Sequence, residues 1–141
     1  MTKVVFEEYD FRFREEKGQK QLFDPVRRKH VSLTPEEWVR QNVLHYLLGK
    51  GYPASLIAIE RGISVNDTQK RFDIVVYDRD SSPLIIVECK AQSEKINQNV
   101  LMQIAGYNLT LKAKYFWLTN GDEHYFIRLS DGAVLQEVIA N

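Results

Sequence analysis

Two apolar segments flank a turn cluster in the middle of this chain, and that unit constrains the fold more than any other feature. Phe72-Asp73-Ile74-Val75-Val76-Tyr77 is β-branched and aromatic, and Leu84-Ile85-Ile86-Val87-Glu88-Cys89-Lys90 is its counterpart. Such composition favours strands. Between them Asp78-Arg79-Asp80-Ser81-Ser82-Pro83 carries the residues that make turns. The pair reads as a β-hairpin. Residues 115–119 form a third strand, Asn120-Gly121 is a hairpin turn signal, and residues 124–129 return as a fourth. Asp131-Gly132 turns the chain again before a last short element over 134–139.

Helical periodicity appears twice. Thr34 can cap a helix, Pro35 suits its first position, and Glu37 completes a capping box. Trp38, Val39, Val43, Leu44, Leu47 and Leu48 then recur at helical spacing until Gly49-Lys50-Gly51. Ile96, Val100, Leu101, Ile104 and Leu111 mark a second helix over about 94–111. Lying between strands 84–90 and 115–119, it makes a right-handed crossover, so those strands are expected to be parallel. A helical turn is expected near 54–57, and residues 57–65 fit either a strand or a short helix. The fold class is α/β, a mixed β-sheet flanked by helices. Residues 34–141 are read as one domain. Residues 1–33 are read as an N-terminal arm, with a brief strand at Tyr9-Asp10-Phe11-Arg12-Phe13-Arg14 and a loop onward to His30.

The 141 residues suffice for a core without disulfide or structural metal. One cysteine, Cys89, excludes an internal disulfide and any multi-cysteine zinc site. The longest purely apolar run, Leu84 to Val87, is far short of the ~20 residues of a membrane helix. Acidic residues follow Met1 too soon for a signal peptide, and the expected location is the cytoplasm. Nineteen basic and nineteen acidic residues cancel. The basic charge concentrates in residues 10–30, at Arg12, Arg14, Lys17, Lys20, Arg27, Arg28 and Lys29, a segment that suits phosphates or simply a solvated surface.

The chemistry lies in the central hairpin. Along a strand Glu88 and Lys90 share a face, opposite Val87 and Cys89. If Tyr77 pairs with Leu84, Asp73 falls opposite Glu88, and directly opposed side chains are about 4.5–5.5 Å apart at Cβ. Two carboxylates so close repel one another. A divalent cation relieves that conflict, and Mg²⁺ takes one or two carboxylates together with water and phosphate oxygens. Lys90 would then orient or deprotonate a water, or stabilise developing charge on a phosphate. Asp73 as a turn residue and Glu88-Cys89-Lys90 as a solvated strand edge are the plainer readings of each piece alone. Gln103 and Tyr107, four apart, share a helix face bordering the core.

These residues resemble the signature of the PD-(D/E)xK nuclease superfamily, and within it the N-terminal nuclease domain of type I restriction enzyme R subunits. The resemblance rests on Arg71-Phe72-Asp73-Ile74-Val75-Val76 with Ile86-Val87-Glu88-Cys89-Lys90, and on Gln103-Ile104-Ala105-Gly106-Tyr107, similar to the Gln-x-x-x-Tyr motif of RecB-like members. Thr34-Pro35-Glu36-Glu37-Trp38-Val39-Arg40 and Thr119-Asn120-Gly121 resemble small stand-alone bacterial proteins of this group, and the likeness covers about residues 20–130. It implies a restriction-endonuclease-like core, with Asp73 and Glu88 as metal ligands, Lys90 as the catalytic lysine, and Gln103 and Tyr107 organising the site or touching the DNA backbone. Glu60 would match a further upstream acidic ligand. The implied cofactor is Mg²⁺ or Mn²⁺, and the implied partner is DNA, with a helicase or specificity protein beside it. The motif's usual proline is replaced by Phe72. The sequence carries no P-loop, so the translocating motor of R subunits is not carried over.

Two functions follow as expectations. One is a metal-dependent nuclease that hydrolyses DNA phosphodiester bonds. The other is a nuclease-fold module with little catalysis of its own, which binds DNA or docks onto a restriction or repair partner.

Overall fold

A computed structural model describes residues 1–65, 67–97, 99 and 112–141. The expected helix over about 94–111, including Gln103 and Tyr107, falls almost wholly outside them.

The N-terminal arm is more ordered than a loop. After an irregular start, β1 (Phe13–Glu16), β2 (Gln19–Asp24) and β3 (Lys29–Ser32) form an antiparallel three-stranded sheet. The sequence expectation of a strand at 9–14 followed by loop to His30 is corrected here. Lys17 and Gly18 both have positive φ, 52° and 76°, as a two-residue hairpin turn of the primed kind requires. A lysine in the first of those positions hid the turn. At the next connection Asp24 accepts the backbone N–H groups of Val26 and Arg27 at 2.8 and 2.7 Å, the local capping that aspartate does well.

Helix α1 (Pro35–Gly49) begins as its sequence dictates, with Thr34 Oγ1 accepting the Glu37 N–H at 3.0 Å. The reciprocal half of the capping box does not form, because the Glu37 carboxylate is engaged by Arg27, Arg40 and Gln41. A 3₁₀ turn (Ala54–Leu56) leads into β4 (Ile57–Val65), which resolves the ambiguous segment as a strand. Then follow β5 (Thr68–Tyr77), β6 (Pro83–Cys89), β7 (Tyr115–Thr119), β8 (His124–Arg128) and β9 (Ala133–Leu135). They form one six-stranded sheet in chain order. Every neighbouring pair is antiparallel except β6–β7, which is parallel. The sheet is mixed, as expected. The balance is different: among the described residues nine strands accompany a single α-helix.

Two apolar clusters sandwich the sheet. Val39, Val43, Leu44 and Leu47 of α1 pack with Ile74, Val76, Ile85, Val87, Cys89, Trp117 and Phe126 on one face. Phe72, Val75, Ile86, Phe116, Leu118 and Ile127 fill the other, joined by Ile96 and Ala113. The alternation Ile85, Ile86, Val87 across the two clusters is the strand period made visible. Both faces of the central strands are covered, which is why β5 and β6 read as near-continuous apolar runs. Among the described residues no helix is long and apolar enough to cross a membrane.

Candidate functional site

The β5–β6 ladder places the hairpin carboxylates. Pairing runs from Val76↔Ile85 through Val75↔Ile86 to Ile74↔Val87. One step further along that register Asp73 and Glu88 are opposite, but the ladder has ended. The turn end departs from expectation: Tyr77 pairs with Pro83, not Leu84, and an irregularity between Val76 and Tyr77 absorbs the difference. On the other side of β5, β4 pairs Ile59 with Ile74 and Arg61 with Phe72, passing over Glu60. Glu60 is therefore the across-strand neighbour of Asp73, and it stands in the left-handed region with φ 53°. Both flanking ladders lapse at Asp73. The pleat lapses there too: Phe72 packs with Val75 and Ile86, whereas strict alternation from Ile74 would put it on the α1 face.

Freed from the pleat, the Asp73 carboxylate is held from two directions. Oδ1 accepts from Arg40 Nη2 at 2.9 Å, and Oδ2 accepts the Cys89 N–H at 2.8 Å. Arg40 comes from α1 and is itself buried, with a side chain 9% exposed. Its Nη1 donates to Glu37 at 3.3 Å and to Glu60 at 3.5 Å. Glu37 also takes Arg27 Nη2 at 2.9 Å, and Arg27 Nε reaches the fully buried Asp24 at 2.8 Å. Gln41 Nε2 donates to Asp24 and Glu37. On the outer side Arg71 Nη2 lies 3.2 Å from Glu60. Charges of alternating sign thus run from the first sheet, through α1, to the end of the central hairpin.

The electrostatics follow. Burial pulls the Arg40 guanidinium down, but Glu37 and Asp73 outweigh it and hold its pKa above the ordinary value. Burial pushes the Asp24 carboxyl up, yet the backbone and guanidinium of Arg27 and the Gln41 amide leave it below the usual carboxylate range. Glu36, in the first turn of α1, is pushed up by burial and then by Asp73, against Arg40 and Lys90. That mutual influence puts Glu36, Asp73, Arg40, Lys90 and Glu94 in one electrostatic neighbourhood. Burial, and then Asp73, push the Cys89 thiol far up, so it is an inert small hydrophobe.

Of the residues expected from sequence, Asp73 on β5, Glu88 near the end of β6 and Lys90 just beyond it are half-buried, and Glu60 is exposed beside Asp73. Asp73 takes Arg40 as its ion-pair partner. Gln103 and Tyr107 lie outside the described residues. Arg40, Glu36 and Glu37 were missed. Their signal was present, since Glu36 and Glu37 stand four and three residues before Arg40 and share its helix face. Two surface grooves, of about 380 and 480 Å³, lie against the N-terminal segment, and none of Glu60, Asp73, Glu88 or Lys90 lines them.

The carboxylates suit a divalent cation in kind, being hard oxygen donors, but the shared face expected for Asp73 and Glu88 is corrected here. Glu88 alternates with Val87 and Cys89 and pairs with Leu118 on the face away from α1, whereas Asp73 leaves the pleat to meet Arg40 of α1. Among the described residues no group of three or more His, Cys, Asp or Glu is arranged to hold an ion. Asp73 with Glu60, which meet at Arg40, would offer a partial shell, the arrangement in which water and phosphate oxygens supply the rest.

A mixed, strand-rich sheet with α1 on one face thus carries an acidic and basic cluster where its central hairpin opens. The chain belongs to the family described as the type I restriction enzyme R protein N terminus (HSDR_N), which it matches over residues 35–140. No curated protein matches it.

Proposed function

We propose that this chain is a metal-dependent nuclease that hydrolyses DNA phosphodiester bonds. The observation that supports it most is Asp73, fixed half-buried at the point where both neighbouring ladders open, in a chain of the type I restriction family. In this reading residues 34–141 form the nuclease-like unit with a restriction-endonuclease-like core, and 1–33 are its arm. Asp73 and Glu88 are the metal ligands, with Glu60 as a further one. Mg²⁺ or Mn²⁺, when bound, would neutralise phosphate charge and acidify a bound water. Lys90 sets a cation beside the scissile phosphate and stabilises the charge that develops there. Gln103 and Tyr107 organise the site or contact the DNA backbone. The protein acts in the cytoplasm, alongside a helicase or specificity partner.

The test is plasmid and single-stranded DNA cleavage with Mg²⁺ or Mn²⁺. Asp73→Ala, Glu88→Ala and Lys90→Ala are each expected to lower the rate at least ~100-fold, the scale of losing one charge-stabilising group. Cleavage that survives all three substitutions refutes the assignment. One observation favours the second reading, a docking module with little catalysis: Arg40 already neutralises Asp73 without a metal. That reading predicts a stable protein partner and no metal-dependent turnover.

A further inference from the structure

Arg40 does at Asp73 what a divalent cation would do. It is a buried positive charge 2.9 Å from Oδ1, with Glu37 and Glu60 on its other nitrogen at 3.3 and 3.5 Å. An arginine this enclosed, carrying a buried Nε with no hydrogen-bond partner among the described residues, is costly to place unless its carboxylates need it. We propose that Arg40 is the internal counter-ion of the acidic site, a positioning residue that keeps Asp73 aimed in the metal-free chain and competes electrostatically with the divalent cation. The inference rests on the metal reading of Asp73 given above.

The physical argument has two parts. First, the carboxylates Glu37, Glu60 and Asp73 share the Arg40 guanidinium, and it alone touches all three, since Arg27 reaches only Glu37 and Arg71 only Glu60 among them. Without Arg40 these carboxylates would lose the cation they share and swing outward. Second, a cation bound to Asp73 sits within a few ångströms of the guanidinium. At that range like charges oppose each other appreciably even under strong screening. Arg40 therefore preorganises the site and lowers its affinity for metal. Only the second effect depends on charge and not on packing.

The experiment is a Mn²⁺ titration of the whole chain without nucleic acid, followed by electron paramagnetic resonance. Arg40→Gln is expected to bind Mn²⁺ roughly tenfold more tightly than the wild type, the order expected for removing one nearby positive charge at effective dielectric constants close to that of water. Arg40→Lys, which keeps the charge, is expected to stay within about twofold of the wild type, a smaller difference than any loss of charge at that distance would give. Arg40→Met fills the same space and replaces the glutamine variant if that one does not melt cooperatively. Asp73→Asn should abolish the binding in every background. An Arg40→Gln or Arg40→Met affinity no higher than wild type overturns the inference, as does a lysine variant that binds as tightly as the neutral ones. Absence of metal-dependent cleavage by the wild type would instead sink the nuclease reading, and the binding comparison is read independently of it.

Discussion

Among the described residues two buried polar clusters are built on opposite principles. The one around Arg40 consists of formal charges, with Asp24, Arg27, Glu37, Arg40 and Asp73 bonded in series. The one at the β7–β8 turn consists of neutral groups. Thr119 Oγ1 lies 2.8 Å from His124 Nδ1 and accepts the Gly121 N–H at 2.9 Å. Asn120 Oδ1 takes the N–H groups of Asp122 and Glu123, and its amide donates to the Glu94 carbonyl. Thus Asn120 ties the loop that follows Lys90 to the turn. Neutral groups close a turn cheaply, because each is fully paired and none needs a counter-ion. Charges in a buried series have to be balanced as a set. The sheet spends its neutral polar groups on shape and gathers its charges where the central ladder opens.

The sharpest way to break the charged cluster is Asp24→Ala. It strips Arg27 and Gln41 of an acceptor and leaves two turn N–H groups unpaired. Orphaning one partner of a buried ion pair costs about 3–5 kcal/mol, to be read as a fall in the urea midpoint. Next in size is a pH effect on the neutral cluster. Burial lowers the His124 pKa to about 4, so between 6.5 and 4 the unfolded chain takes a proton that the folded chain refuses. Stability should fall by about 3 kcal/mol as pH drops through that window. Unfolding curves at several pH values would measure it, and His124→Asn should flatten the slope. The charged cluster behaves differently. Asp24, held below its ordinary range, loses its contribution only as pH falls beneath about 3.8. A single acid transition centred below 4, with nothing between 6.5 and 4, would contradict the comparison. The smallest effect is Thr34→Ala, which removes the cap of the helix that carries Arg40 and should cost about 1 kcal/mol by thermal melting.

Much of the fold was legible because the local signals agreed with one another. The Thr34-Pro35 start of α1, the apolar runs of β5 and β6, the strand at 115–119 and its parallel pairing with β6 all appear in the structure. The first sheet was not legible. Its strands are four to six residues long, rich in charge, and joined by a Lys-Gly turn that imitates a loop. The fourth strand stayed ambiguous because Glu60 interrupts its pattern. At the candidate site, pairing logic singled out Asp73 but gave it Glu88 as its neighbour, whereas the structure gives it Arg40. The role of Arg40 depends on where α1 lies over the sheet, and helix periodicity carries no information about which strand a side chain will meet.

Glu60 has a further consequence. With φ 53° it occupies backbone space that suits glycine or asparagine far better than glutamate, at a cost of about 1 kcal/mol or more. Stability and chemistry therefore favour different residues at this position. A library randomised at Glu60 and sorted for heat resistance should return glycine and asparagine, and one sorted for DNA cleavage should return acidic side chains. If both screens settled on the same residue, the carboxylate beside Asp73 would be ornamental.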